Sequence, residues 1–97
     1  MNQFFEALGQ QWVDAAQKRG AKIAKPELDS RVALELLELA RVAAHTQERR
    51  FAPLATYVAG MTAERMRAAG SQGSPEDVAA IIREVREELE REPAAEP

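Results

Sequence analysis

A chain of 97 residues, 45% hydrophobic and 30% charged, has the length of one domain and the balance of a soluble globular protein. With no cysteine and one histidine it excludes a disulfide scaffold, a Cys-ligated zinc or iron–sulfur centre, a thiol nucleophile and a His-rich metal site. Sixteen acidic against thirteen basic residues give a net charge of −3, the wrong sign for a general nucleic-acid binder.

Helix formers (Ala, Leu, Glu, Arg, Gln) dominate, and β-branched residues never alternate over a strand's length. The expected fold is all-α: a compact four-helix bundle-like domain, second helix central, no sheet. It spans residues 1–91, with 92–97 as a disordered tail. The first helix is expected over 3–19. There Phe4, Phe5, Leu8, Trp12, Ala15 and Ala16 recur on one face, Gly9 is a mild weakness, and Gly20 follows the last turn. Residues 20–30 form a connector beside a basic cluster of Lys18, Arg19, Lys22 and Lys25, with Pro26 breaking regularity.

The second helix is expected over 27–49. Val32, Ala33, Leu36, Leu37, Leu39, Ala40, Ala43 and Ala44 fill an arc of roughly 160°, wide enough for two or three neighbours. The third is expected over 53–69, opened by Pro53 in its first turn, with an apolar stripe of Leu54, Tyr57, Val58, Met61 and Ala68 and Gly70 as its terminator. Ser71-Gln72-Gly73 makes a flexible joint. Ser74-Pro75-Glu76-Asp77 then gives the clearest helix start in the chain: a capping hydroxyl, a proline at the first helical position and two acids in the positive first turn. Val78, Ile81, Ile82, Val85 and Leu89 form the narrow stripe of the fourth helix, whose Glu84, Glu87 and Glu88 point to water. Charge is segregated: residues 76–97 carry eight acids and three arginines, and residues 1–75 carry eight acids and ten bases.

The search for chemistry is mostly eliminative. Gly70 to Pro75 is glycine-containing but lacks the preceding strand and following lysine of a phosphate loop. His45 has no glutamate three residues before it, so the di-metal pattern of four-helix sites is absent, and Glu35 and Glu38 read as surface acids. No nucleophile elbow occurs. A helix-turn-helix reading fails because Glu27 and Asp29 would repel phosphates at the start of the second helix. No run of about 18 apolar residues exists to span a membrane, and the N-terminal residues lack the pattern of a secretory signal. The expectation is a cytoplasmic protein with no catalytic residues, no cofactor and no metal. What remains is Arg41, His45 and Arg49, one turn apart on the second helix, followed by Arg50. Such a face can hold an anion or a partner. The alternative is a solvated polar face with Glu38–Arg41 and Glu48 supplying ion pairs and His45 bonded to a carbonyl before Pro53.

The segment Leu36-Leu37-Glu38-Leu39-Ala40-Arg41-Val42-Ala43-Ala44-His45, then Glu48-Arg49-Arg50-Phe51-Ala52-Pro53-Leu54-Ala55-Thr56-Tyr57-Val58-Ala59-Gly60, with Gly73-Ser74-Pro75-Glu76 after it, resembles a small helical domain of unknown function found in actinobacteria. The resemblance covers about residues 31–90. That domain occurs alone or appended to molybdenum cofactor guanylyltransferases. The resemblance therefore implies a non-enzymatic accessory module with a protein partner, such as that transferase. Its motif positions here are Arg41, His45, Arg49 or Arg50, and Pro53. The basic residues of 18–25 depart from the acidic connector of that family. Two other classes stay open: a self-associating structural protein (a homodimer), and a small-anion or nucleotide sensor using the Arg41, His45 and Arg49 face.

Overall fold

A computed structural model describes residues 2–70 and 73–91. Residues 71–72 of the expected joint and the tail at 92–97 lie outside the described residues; Gly73 precedes the start of α4 without regular structure. Four helices follow in order: α1 (Gln3–Lys18), α2 (Ser30–Thr46), α3 (Phe51–Ala68) and α4 (Pro75–Arg91), with no strand among the described residues. The all-α class is as the composition implies. Contacts divide the chain into two compact units, Met1–Ser30 and Arg31–Pro97.

In the first unit Asn2 caps α1, its side-chain oxygen accepting from the Phe5 N–H at 3.2 Å. The helix ends where Gly20 takes φ +83°, a left-handed conformation open to glycine. The Gly20 N–H then donates to the Gln17 carbonyl and the Ala21 N–H to the Ala16 carbonyl, both at 2.9 Å, completing a Schellman stop. The connector after it has no regular structure and runs back along α1. Lys25 pairs with Glu6 at 2.6 Å. Gly9 is the buried residue of α1, because a Cβ there would lie 2.8 Å from the Pro26 carbonyl oxygen. Gly9 is therefore the point of closest approach rather than a flaw in the helix.

In the second unit α2 is central. Leu39 from α2 and Val78 and Ile82 from α4 make the buried cluster, with Val32, Leu36, Ala55, Ala59, Ala63, Ile81 and Leu89 packed around it. The start of α4 is as expected: the Asp77 N–H donates to Ser74 Oγ at 3.2 Å, and Ser74 Oγ donates back to the Asp77 carboxylate at 2.9 Å.

Three expectations change. First, α2 spans Ser30–Thr46 rather than 27–49. The Phe51 and Ala52 N–H groups donate to the Glu48 and Arg49 carbonyls, so residues 48–50 already belong to the turn that opens α3 at Phe51, two residues before Pro53. The chain turns over 47–50, and Thr46 Oγ1 donates back to the Val42 carbonyl at 2.8 Å. Second, Leu37 is 67% exposed, whereas Val42 is 2% exposed and the Glu35 side chain only 13%. The buried arc of α2 thus takes in an acid and leaves out a leucine. Third, α3 presents its small face to the core. Ala55, Ala59 and Ala63 pack inward while Leu54, Tyr57 and Val58 stay exposed.

Candidate functional site

Arg41 and His45 sit one turn apart on α2, both exposed. Arg49 lies beyond the helix end, in the turn over 47–50, and Arg50 is the residue preceding α3, with helical φ −65° and ψ −19°. The expected row of three cations on one helix face therefore stops after two, because the helix stops at Thr46. Arg41 is already engaged. It donates to both oxygens of the Glu38 carboxylate at 3.3 Å and lies 3.7 Å from Glu90 of α4. The Glu38 hydrogen bond raises the Arg41 pKa further, and Arg41 in return holds the Glu38 carboxyl below its ordinary value. Arg50 pairs with Glu48 at 2.6 Å. Among the described residues no ion pair involves His45 or Arg49. Two of the four candidate cations, Arg41 and Arg50, thus face carboxylates of the chain itself.

Arg41 belongs to an ionic seam where α2 and α4 run side by side. Arg31 pairs with Glu76, Glu35 accepts from Arg83 at 2.9 Å and from Arg86 at 3.4 Å, Arg86 pairs with Glu90 at 2.7 Å, and Glu90 reaches Arg41. The Arg86 side chain is only 16% exposed, and its Nε is buried without a partner among the described residues. Its remaining donors meet two carboxylates, which hold its pKa above the usual arginine value. Glu35 is thus a half-buried anchor of the seam rather than a surface acid. Sequence reading missed it because its partners lie 48 and 51 residues away.

Between α3 and α4 lies an open apolar groove of about 330 Å³. Ala55, Val58, Ala59 and Thr62 of α3 form one wall, Ile81, Val85 and Leu89 of α4 the other, and Leu39 and Ile82 the floor. Val58 is 57% and Val85 54% exposed, and Leu54 (61%) and Tyr57 (71%) extend the apolar surface outward along α3. A shallower hollow of about 280 Å³ adjoins it, lined by Glu84, Val85, Glu88 and Leu89, so the α4 rim is acidic. The signal that could have found this surface is the four-residue spacing of Ala55, Ala59 and Ala63. Small residues let a helix approach its neighbour, which leaves the large ones beside them outside. A separate hollow of about 200 Å³ in the first unit is lined by Phe5, Leu8, Gly9, Trp12, Pro26, Glu27 and Leu28.

No group of three or more His, Asp and Glu side chains is placed to hold a metal ion among the described residues. Among the described residues no helix is long and apolar enough to cross a membrane. The second unit thus combines an ionic seam between α2 and α4 with an open apolar groove between α3 and α4. The chain belongs to the family described as "Domain of unknown function (DUF6457)", whose model matches residues 6–97. No curated protein and no solved structure is similar to it.

Proposed function

We propose that the protein is a non-enzymatic helical module that docks another protein, and that its partner is a cytoplasmic enzyme of molybdenum cofactor assembly, such as a molybdenum cofactor guanylyltransferase. The docking role rests on the α3–α4 groove: more than half of Val58 and of Val85 is exposed beside an apolar floor. Contiguous apolar surface of this kind marks an interaction site. The choice of partner rests on the resemblance carried by Arg41, His45, Arg49, Pro53 and the Gly73-Ser74-Pro75-Glu76 segment. The anion-sensing reading has less support, since Arg41 and Arg50 already face in-chain carboxylates.

Affinity capture from the native host tests both parts. The tagged protein recovers a molybdenum cofactor guanylyltransferase, and Val58→Glu loses it. Identical captures by the two proteins overturn the groove as the docking surface. Recovery of a groove-dependent partner unrelated to molybdenum overturns the assignment of the partner and leaves the docking role standing.

A further inference from the structure

We propose that the occupant of the α3–α4 groove is a basic amphipathic helix of a partner protein; this deepens the docking role and rests on it. The dimensions come first. The α3 wall runs from Ala55 to Thr62 and the α4 wall from Ile81 to Leu89. At the helical rise each wall is about 10–12 Å long, two turns of a guest helix. Helices laid in such grooves anchor apolar residues at i, i+3 or i+4, and i+7, which spans the same two turns.

Charge then selects the guest. The α4 rim carries Glu84 and Glu88 beside the wall residues Val85 and Leu89, with Glu87 also exposed. Among the described residues Glu84 has no ion-pair partner, while Glu88 is matched by Arg91 of its own helix. Lysines or arginines flanking the apolar stripe of a guest helix complement this rim. A second copy of the chain would instead bring another acidic α4 towards it, and like charges across an interface are penalised. A small apolar ligand is a poorer fit, because ligand pockets enclose their guest and orient it with converging polar groups. Here Thr62 is the sole polar side chain among the residues forming the walls and floor.

The probe is a pair of labelled, helix-stabilised peptides with identical leucines at i, i+3, i+4 and i+7. One is flanked by lysine and arginine, its twin by glutamate. Fluorescence anisotropy with the full chain reads their affinities. The basic peptide binds roughly tenfold more tightly than its twin, the scale expected of two or three exposed charge pairs. Added salt narrows the gap. Glu84→Lys with Glu88→Lys abolishes or inverts the preference, and Val58→Glu or Val85→Glu removes both peptides. Because both valines are largely exposed, circular dichroism melts of these variants stay close to the parent.

Equal binding of the twins, lost on Val58→Glu, overturns the charge selection but keeps the groove as a docking surface. Failure of both peptides overturns the basic helix. If capture of the native partner also survives Val58→Glu, the docking role falls with it. A dimer in sedimentation that Val58→Glu dissolves identifies a second copy as the occupant and overturns the inference.

Discussion

In the first unit a helix is clasped by its own connector, whereas in the second three helices share a core and an ionic seam. The first unit buries a glycine and no large side chain. Its connector approaches the α1 backbone at Gly9 and is tied to α1 by the Lys25–Glu6 ion pair. The second unit spreads its cohesion over Leu39, Val42, Val78, Ile82 and several alanines, with carboxylate–guanidinium pairs along α2 and α4. Contact at a point fails through one change of shape, while contact spread over a face fails in proportion to the surface removed.

The largest expected effect follows from the second design. Ile82 is 5% exposed, and Ile82→Ala removes apolar contact and leaves a cavity beside Leu39. It is expected to cost about 2–5 kcal/mol and to lower the melting temperature of the second unit by roughly 10 °C or more. A calorimetric scan reads this, and a shift of a degree or two would show that the core is not where the structure puts it.

Next is Glu35→Ala, which strips Arg83 and Arg86 of their shared acceptor and leaves a largely buried guanidinium short of a partner. The expected loss is about 1–3 kcal/mol by chemical denaturation, the cost of an unsatisfied buried polar group. A double-mutant cycle with Arg83→Ala apportions it. An exposed control, Glu87→Ala, is expected to change stability by no more than about 0.5 kcal/mol.

The first unit breaks differently. Gly9→Ala should stabilise an isolated helix by about 0.5–1 kcal/mol. Here the added methyl meets the Pro26 carbonyl and the Lys25 side chain, so the connector must move. Overpacking against backbone costs about 1–3 kcal/mol, so the net effect is a loss. Faster hydrogen exchange over 20–29 and an altered Trp12 emission report it. A stabilised variant with unchanged Trp12 emission would show that the connector does not lie on Gly9.

The smallest effect is acid sensitivity. Hydrogen bonds from Lys25, Arg41 and Arg31 hold Glu6, Glu38 and Glu76 respectively below the ordinary carboxylate value of 4.5. Carboxyls depressed in the folded state are protonated more readily in the unfolded chain. Their contribution is therefore present in full above about pH 4.5 and is lost as the pH falls through their depressed values. Thermal melts should be level from pH 7 to about 5 and decline below that. All three pairs are solvent-exposed, so added salt should flatten the decline.

Much of the fold was legible where the signal is local. Ser74 and Pro75 open α4, and Gly20 and Gly70 close α1 and α3 with positive φ, because caps and stops are decided within one turn of chain. The faces were harder. Periodicity ranks residues by size and polarity, so Leu54, Tyr57 and Val58 read as the apolar stripe, and Ala55, Ala59 and Ala63 fall outside it. Packing reversed that order, since close approach of α3 favours methyl groups. Glu35 was misread for a related reason: an acid counts as wet until its partners, four dozen residues away, are known. Of the candidate site, the motif residues Arg41 and His45 do share an exposed face, but the turn before Pro53 separates Arg49 from them. The groove was hidden by the same inversion that hid the face of α3.

The alanine wall of α3 also bears on how such a surface changes over generations. The two methyl groups of Ala55 and Ala59 keep the α3 wall of the groove set back. A single enlargement at either position narrows the slot from that wall. A trimmed residue on the α4 wall does the opposite and widens it. The shape of the groove is therefore adjustable one codon at a time, through residues that take no part in the ionic seam.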